Sequence, residues 1–269
     1  MHASESLDAA RTLWSHRQSG TVIDHLPVGC RPTSRAEGYA VQALWPVVSG
    51  RAVRGWKIAA TSDAGQRHIN VSGPLAGRLL EGYVFEDGAT IPSAGNRMRV
   101  AEPEMAFRFA RDLPPRDAPR STEEVMAAVA SLHPSIEIPD SRYEVFTAVG
   151  EAQLIADNAC ASYFVLGSAA PEGWRALDLA THPAQGHVRR ADGRTWSRDG
   201  SGAAVLGDPR VALTWLVNEL SSLGLGLHAG EFVTTGTCMP PLEIEPGDAV
   251  GADFGPLGRV AMRFAEDAA

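Results

Sequence analysis

The sequence is poor in several features that define large classes of proteins. Its three cysteines, Cys30, Cys160 and Cys238, are odd in number, widely spaced and form no C-x-x-C pair. That usage argues against a disulfide framework or a zinc knuckle and is typical of a reducing compartment. No run approaches the ~18 apolar residues of a membrane-spanning helix. The opening residues M-H-A-S-E-S-L-D lack the basic start and apolar run of a signal peptide, so we expect a cytoplasmic protein.

The chain also lacks a basic excess. It has 24 lysine and arginine residues against 32 aspartate and glutamate residues, which gives a net charge of −8. We therefore expect no nucleic-acid partner and no anionic membrane partner. Apolar residues make up 44% and charged residues 21%, as in an ordinary globular protein. A length of 269 residues allows one large domain, or a core domain with a smaller helical attachment.

Several familiar catalytic and nucleotide-binding motifs are missing. The sequence contains neither G-x-x-x-x-G-K-[ST] nor G-x-S-x-G, so it offers no P-loop and no serine-hydrolase elbow. The glycines between residues 224 and 230 follow a predicted helix and precede a predicted strand. A dinucleotide-binding loop has the reverse order, which argues against that function as well.

What the sequence does contain is an acidic strand, R-V-A-E-P-E-M-A-F-R-F, at residues 99–109. A period of two places Glu102 and Glu104 on one face and the apolar Met105 and Phe107 on the other. Two carboxylates at i and i+2 repel each other, and a bound Mg2+ or Mn2+ would relieve that repulsion. The alternative is a half-exposed strand with a solvated acidic face. Pro103 predicts that this strand is an edge strand or is bulged there.

Two further charged residues stand among apolar ones. Residues 135–138, S-I-E-I, predict a strand whose isoleucines share one face, so Glu137 points the opposite way. Lys57 lies between Trp56 and Ile58, where an unpaired ammonium would be costly, which predicts a carboxylate or an anionic substrate as its partner. The alternative is a lysine at a strand edge whose ammonium reaches water.

The order of the elements predicts an α+β fold. Apolar periodicity and capping signals predict helices over 4–19, from Ser34 to about Trp45, from Ser121 through Leu132, and from Asp208 onward. Residues 64–82 are rich in glycine and predict an irregular stretch. We divide the chain into a small helical N-terminal part, residues 1–50, and a large, mainly antiparallel β-domain, residues 51–269.

These segments together resemble a known enzyme family. In chain order they are G-W-K-I-A (55–59), A-E-P-E-M-A-F (101–107), S-I-E-I-P-D-S-R (135–142), A-D-N-A (156–159), L-G-D-P (206–209) and G-E-F-V-T-T-G-T (230–237). The sequence resembles the 2-hydroxypenta-2,4-dienoate hydratase and 4-oxalocrotonate decarboxylase group of the fumarylacetoacetate hydrolase superfamily. The resemblance covers nearly the whole chain from Arg31 onward.

The resemblance implies a β-rich domain around a divalent metal, Mg2+ or Mn2+. It implies Glu102, Glu104 and Glu137 as metal ligands and Lys57 as the catalytic lysine. Lys57 would bind a negatively charged oxygen of the substrate, or transfer a proton if burial lowers its pKa. We expect three further residues to line the substrate or support the metal ligands: Asp140, Cys160 and Thr237.

The resemblance also implies an activity, namely the addition of water to a 2-hydroxy-2,4-dienoate (a 2-keto-4-enoate) in aromatic catabolism. The sequence departs from the family at Leu75, where the hydratases carry an acidic residue after the lysine strand. The alternatives are therefore decarboxylation of an oxalocrotonate-type acid, hydrolysis of a C–C bond in an acylpyruvate, or a catalytically silent partner subunit. The hydrolase lid pair has only His25 here, with Val28 where a glutamate is expected. The family further implies a homo-oligomer that can associate with a related subunit.

Overall fold

The computed structural model describes residues 1–266 and shows a mixed α+β architecture. The α-helices are α1 (Ala3–Ser19), α2 (Arg35–Gln42), α3 (Trp45–Ser49), α4 (Asp63–Ile69), α5 (Thr122–Met126), α6 (Glu151–Ala156) and α7 (Pro209–Ser222). Short 3-10 helices lie at Val28–Cys30, Phe146–Ala148, Asn158–Cys160, Glu172–Ala176, Gly202–Ala204 and Gly255–Leu257. The strands are β1 (Val53–Ala59), β2 (Leu75–Leu80), β3 (Val84–Glu86), β4 (Thr90–Ile91), β5 (Val100–Phe109), β6 (Val129–Ile138), β7 (Tyr163–Leu166), β8 (Pro183–Arg189), β9 (Thr195–Ser201), β10 (Phe232–Thr237), β11 (Leu242–Glu243), β12 (Ala249–Asp253) and β13 (Arg259–Phe264).

The N-terminal helices begin and end close to the predicted residues. α1 ends at Gly20, whose φ of 66° is the left-handed conformation common at helix C-termini. The Ser34 side chain caps α2 by accepting a hydrogen bond from the backbone N–H of Glu37. Pro46 lies in the first turn of the separate helix α3, where the missing N–H costs nothing. Within residues 1–266, no helix has the length and hydropathy needed to cross a membrane.

The larger of the two sheets carries the acidic strand at its centre. Its strand order is β2-β1-β10-β5-β6-β7-β3, and β11 also pairs with β5. Most neighbours are antiparallel, but β1 and β10, and also β3 and β7, are parallel. The predicted mixed, mainly antiparallel β-domain is confirmed.

A second sheet packs against the first. Its strand order is β4-β13-β12-β8-β9, and β12 and β13 contact β6 while β8 contacts β5. One face of the larger sheet contributes Trp56, Phe107, Ile136 and Val165 to the main hydrophobic core. Buried side chains of the N-terminal helices, such as Leu13, belong to the same core, and the division at residue 50 stays a prediction.

The prediction that the acidic strand is an edge strand is wrong. β5 lies between β10 and β6, and Pro103 pairs with Ile136 inside the sheet. The predicted irregularity is instead in the neighbouring strand β10, where the register shifts between Thr234 and Thr237. This interruption of the ladder lies beside Pro103 and accommodates a residue that has no N–H to donate.

Two local predictions are also corrected. The helix that begins after Ser121 ends at Met126, and Val129 and Leu132 belong to strand β6 instead. The capping signal was correct, but pairing of β6 with β5 outweighed the helical spacing of three apolar residues. The stretch 64–82 is not irregular, because it contains α4 and the fully buried strand β2. The errors at β6 and β2 come from strand pairing that local sequence does not encode, whereas α4 has a local cap, the Ser62 side chain.

Candidate metal centre

The structure brings the three predicted glutamates together. Glu102 and Glu104 lie two residues apart on β5, and Glu102 is directly opposite Glu137 on β6. One carboxylate oxygen from each residue can be chosen so that all three lie within 4.8 Å of one another. Glu104 and Glu137 are fully buried, and Glu102 is mostly buried. Strand alternation and register therefore account for the convergence.

The irregularity in β10 fixes the orientation of Glu104. The Thr234 hydroxyl and the Gly236 backbone N–H, the latter at 2.8 Å, both donate to Glu104 Oε2. Gly236 has a φ of 102°, and a Cβ at that position would collide with the hydroxyl of Thr61. Only glycine fits this turn, so the backbone donor that holds Glu104 depends on it.

Several buried oxygens of the cluster have no hydrogen-bond partner. Oε1 of Glu104 and Oε2 of Glu137 are fully buried and accept no hydrogen bond from any described residue. Burying a carboxylate oxygen without a partner is costly, and native proteins rarely do so without an ion or ligand. Converging carboxylate oxygens are the donor set that Mg2+ and Mn2+ prefer. The residues present therefore fit a divalent cation.

The pKa values of the three glutamates also favour a bound divalent cation. Burial and the neighbouring Glu137 charge raise the pKa of Glu102 to about 7, against the opposing effect of Lys57. Burial likewise raises the pKa of Glu104 well above its ordinary value, and that of Glu137 above it. Carboxyl groups that resist ionisation in the protein alone are those that a bound cation would stabilise as carboxylates.

Lys57 lies beside this cluster and is the only lysine in the sequence. Its Nζ is 3.1 Å from Glu137 Oε1 and donates to the backbone carbonyl of Ala159, also at 3.1 Å. The side chain is 3% exposed, so the alternative of an ammonium that reaches water is wrong. Burial alone would lower the pKa of Lys57, but the carboxylates of Glu137 and Glu102 outweigh it and raise the pKa. In the metal-free protein Lys57 is therefore a cation, which favours the binding of a negative oxygen over proton transfer.

The sheet face that carries the site also carries buried apolar side chains. Leu79, Ala106 and Phe164 form a small buried cluster on that face, separate from the main core. Leu75 shares the face too, since it pairs with Ala59, two residues after Lys57. It is fully buried and offers no proton.

The other predicted site residues have structural partners. Asp140 forms an ion pair with Arg142 and accepts the backbone N–H of Arg97 at 2.9 Å. The backbone carbonyl of Cys160 accepts the Asp140 N–H, and burial raises the pKa of its thiol to about 12. The Thr237 hydroxyl donates to the carbonyl of Met239 and has no hydrogen bond to the three glutamates.

Sequence reasoning missed two residues that support the site. Thr234, and not Thr237, donates to Glu104, because the register shift in β10 rotates the strand between them. Asn158 anchors the loop whose carbonyl accepts the Lys57 ammonium. Both residues lie in segments that carry the family resemblance, A-D-N-A (156–159) and G-E-F-V-T-T-G-T (230–237), but nothing in those segments indicates which side chain supports the site.

Comparison with characterised sequences gives consistent results over most of the chain. The sequence is 33% identical over 261 residues to a 2-keto-4-pentenoate hydratase of Paraburkholderia xenovorans (strain LB400), covering 96% of this chain and 94% of that protein. It is also 33% identical over 220 residues to a 2-hydroxyhexa-2,4-dienoate hydratase of Comamonas testosteroni, covering 81% and 80%. No family model matches the chain.

The fold is likewise shared with solved structures. The 4-oxalocrotonate decarboxylase of Pseudomonas putida G7, complexed with magnesium and adipate, superposes with a TM-score of 0.84 at 26% identity over 98% of both chains. The fumarylpyruvate hydrolase of Pseudomonas aeruginosa, with Mn2+ and pyruvate, has a TM-score of 0.55 at 13% identity over 80% of this chain and 90% of its own, a likeness of fold alone. The expected fold of the fumarylacetoacetate hydrolase type is confirmed.

Proposed function

This chain belongs to the 2-keto-4-pentenoate hydratase family, and from that membership we propose how its site works. The enzyme is a lyase, a hydratase that adds water to a 2-hydroxy-2,4-dienoate (a 2-keto-4-enoate) and gives a 4-hydroxy-2-oxo acid. The observation that carries the proposal is the buried set of partnerless carboxylate oxygens next to the single lysine, in a chain related to hydratases over 96% of its length.

The activity depends on a divalent cation, and we assign its ligands to Glu102, Glu104 and Glu137. Mg2+ or Mn2+ suits these oxygens, and magnesium is present in the related decarboxylase. A bound cation would supply Lewis-acid stabilisation of negative charge on the C-2 oxygen of the substrate. The protein's part is to hold the three carboxylates in place, which the Thr234 and Gly236 hydrogen bonds to Glu104 support.

Lys57 supplies positive charge on the same face. One of its three N–H bonds is directed to the carbonyl of Ala159, and Glu137 lies 3.1 Å from Nζ. The remaining donor capacity can bind the carboxylate or enolate oxygen of a 2-keto acid. Such a charged donor is worth most where water is excluded, and the apolar cluster of Leu79, Ala106 and Phe164 lies on the same sheet face.

Decarboxylation of an oxalocrotonate-type acid is the second candidate. Two observations favour it: the decarboxylase likeness over 98% of the chain, and Leu75 in place of an acidic residue on the site face. Loss of that carboxylate removes a group that could move a proton during hydration. Both reactions begin from stabilisation of the same enolate-type charge, so the site is compatible with either.

Turnover assays separate the candidates. We would supply 2-hydroxypentadienoate, oxalocrotonate and an acylpyruvate to the purified protein with added Mg2+ or Mn2+. The proposal expects consumption of the dienoate with formation of a 4-hydroxy-2-oxo acid, and none of it after chelation of the metal. Release of CO2 from oxalocrotonate without hydration would select the second candidate. Absence of turnover on all three would favour a catalytically silent partner subunit.

The oligomeric state and the cellular compartment belong to the same proposal. We propose a homo-oligomer, as the family resemblance implies. We also propose that it works in the cytoplasm, since the three cysteines of the described residues are free. Light scattering after size-exclusion chromatography, alone and with a related family subunit, measures the oligomeric state and the predicted association.

A further inference from the structure

The loop beside Lys57 has an unusual backbone. Asn158, Ala159 and Cys160 have φ values of 56°, 51° and 60°, so three consecutive residues that are not glycine are left-handed. Asparagine tolerates this conformation, but alanine and cysteine do so only when the surroundings impose it. Such strain persists where the structure over-determines it, which happens mostly at functional sites.

The side chain of Asn158 imposes the conformation. Its Oδ1 accepts from the backbone N–H of Arg78 at 2.7 Å, and its Nδ2 donates to the backbone carbonyl of Arg78 at 2.8 Å. The amide thus pairs with edge strand β2 as a neighbouring strand residue would. The preceding residue is fixed as well, because Asp157 accepts from the Ser141 hydroxyl and the Arg142 N–H at 2.7 and 2.8 Å.

The loop of residues 158–160 contacts the site through one group, the backbone carbonyl of Ala159. That oxygen accepts the Lys57 ammonium, whose other close neighbour is Glu137. The loop and the lysine stem both pack closely against Gly77 of β2, because a Cβ there would lie 2.5 Å from the Asn158 carbonyl oxygen and 3.0 Å from Lys57 Cδ. Strand β2, the lysine stem and the loop are therefore in direct contact.

We infer that Asn158 is a positioning residue for the reaction. Its amide fixes the left-handed loop to β2, and the loop carbonyl of Ala159 holds the Lys57 ammonium in the orientation that binds the substrate oxygen. This inference rests on the proposed role of Lys57. It assigns Asn158 an effect on turnover that passes through the lysine alone and leaves the metal ligands undisturbed.

The chain offers a matched control for the test. Asn218 on α7 makes the same pair of hydrogen bonds with the backbone of Arg120, accepting from its N–H at 2.8 Å and donating to its carbonyl at 3.1 Å. Neither residue hydrogen-bonds to Lys57 or to the three glutamates. Asn158→Ala and Asn218→Ala therefore remove the same bonds at two places, only one of which adjoins the lysine.

The first readout is a double-mutant cycle on turnover. Asn158→Ala should lower kcat about tenfold in the wild-type background and change it less than about twofold in the Lys57→Met background, because coupled residues do not act additively. Asn218→Ala should leave kcat unchanged. Calorimetry should give Asn158→Ala and Asn218→Ala, each with Lys57 in place, the affinity of the wild type for Mg2+. Equal losses in both backgrounds, or an unchanged kcat in Asn158→Ala, would overturn the inference.

The second readout needs no activity. Because Lys57 is the only lysine, labelling with 13Cε-lysine gives one signal that reports its ammonium. We expect the signal of the metal-loaded protein to move toward that of an exposed lysine in Asn158→Ala and to stay in place in Asn218→Ala. An unmoved signal in Asn158→Ala contradicts the inference. If Lys57→Met alone turns over normally, the proposed role of Lys57 fails, and this readout still decides whether Asn158 positions the lysine.

Discussion

Buried carboxylates occur at two places beside the two sheets, and the protein treats them differently: one is Asp248, directly before β12, and the other is the glutamate cluster on β5 and β6. Directly before strand β12 of the five-stranded sheet, Asp248 is 1% exposed, and its Oδ2 accepts from Arg190 at 2.6 Å and from the Glu245 N–H at 2.8 Å. In the larger sheet, Glu104 and Glu137 are 0% exposed and keep oxygens that accept nothing from the described residues. Both places bury carboxyl groups, but only the glutamate cluster leaves buried oxygens without a hydrogen-bond partner.

The difference separates a structural ion pair from a candidate binding site. A buried carboxylate with a cation and a backbone donor is complete in the folded chain, so it needs no ligand. Partnerless buried oxygens store an unfavourable free energy that a cation would relieve on binding. We therefore expect substitutions at Asp248 to affect stability alone, and substitutions in the glutamate cluster to affect binding and turnover.

The largest expected effect comes from the lysine of the cluster. Lys57→Met removes a charged donor from the site, so kcat/KM for a 2-keto acid should fall by a factor on the order of 10^2 or more. It also leaves Glu137 without its counter-ion, so the melting temperature should fall in the metal-free protein and recover when Mg2+ is added. Steady-state kinetics and thermal melts with and without metal measure both effects.

Arg190→Met is the matched control, because it removes the cation of the other buried pair. It should lower the melting temperature with or without Mg2+ and leave kcat/KM unchanged. Undiminished turnover by metal-loaded Lys57→Met would contradict the assignment of Lys57 to the reaction.

A smaller effect is expected at the satisfied carboxylate. Asp248→Ala removes an acceptor of one charged and one backbone hydrogen bond, so it should destabilise the fold by about 2–3 kcal/mol. Denaturant unfolding measures this loss. Metal affinity should stay at the wild-type value, and a weakened metal site in a folded protein would show that the two sheets are coupled.

The cap of helix α5, which precedes the end of β6 opposite to Glu137, should contribute less. The Ser121 hydroxyl accepts from the Glu124 N–H, and the Glu124 carboxylate accepts from the Ser121 N–H. Ser121→Ala should cost about 1 kcal/mol of unfolding free energy through the lost cap. Metal affinity, measured by calorimetry, should not change. Loss of metal binding by a folded Ser121→Ala protein would mean that α5 does more than lead into β6.

The smallest effect is a pH dependence at the same cap. Hydrogen bonds from Arg116 and from the Ser121 N–H lower the pKa of Glu124 to about 2. Because the folded pKa lies below the ordinary 4.5, this stabilisation is present above pH 4.5 and is lost as the pH falls toward 2. Glu124→Gln should flatten that part of the stability profile, whereas Glu123→Gln on the same turn should not. Identical acid profiles for both variants would refute the cap's contribution.

The site was more predictable from the sequence than its surroundings. Alternation along two strands placed Glu102, Glu104 and Glu137 on faces opposite to apolar neighbours, and the register of β5 and β6 then brought them together. Alternation is a property of each strand alone, so it can be predicted from sequence. The central position of β5 could not, because it depends on which strands pair on either side.

The backbone conformation that holds Lys57 could not be predicted from local sequence, for a related reason. Left-handed φ values at Ala159 and Cys160 oppose the preferences of both residues, so no propensity predicts them. They follow from tertiary contacts, above all the two hydrogen bonds of Asn158 to Arg78. Where tertiary contacts override local preference, sequence reasoning fails, and here that failure lies beside the candidate active site.

The central claim is that the partnerless oxygens of the cluster bind one divalent cation. Titration calorimetry with Mg2+ and Mn2+ on the wild type, Glu104→Gln and Asp248→Asn tests it, since both variants replace a buried carboxylate by an amide. We predict one site in the wild type, the same affinity in Asp248→Asn, and a loss on the order of 10^2-fold or more in Glu104→Gln. Equal affinities in the wild type and Glu104→Gln, or no binding to the wild type, would contradict the account.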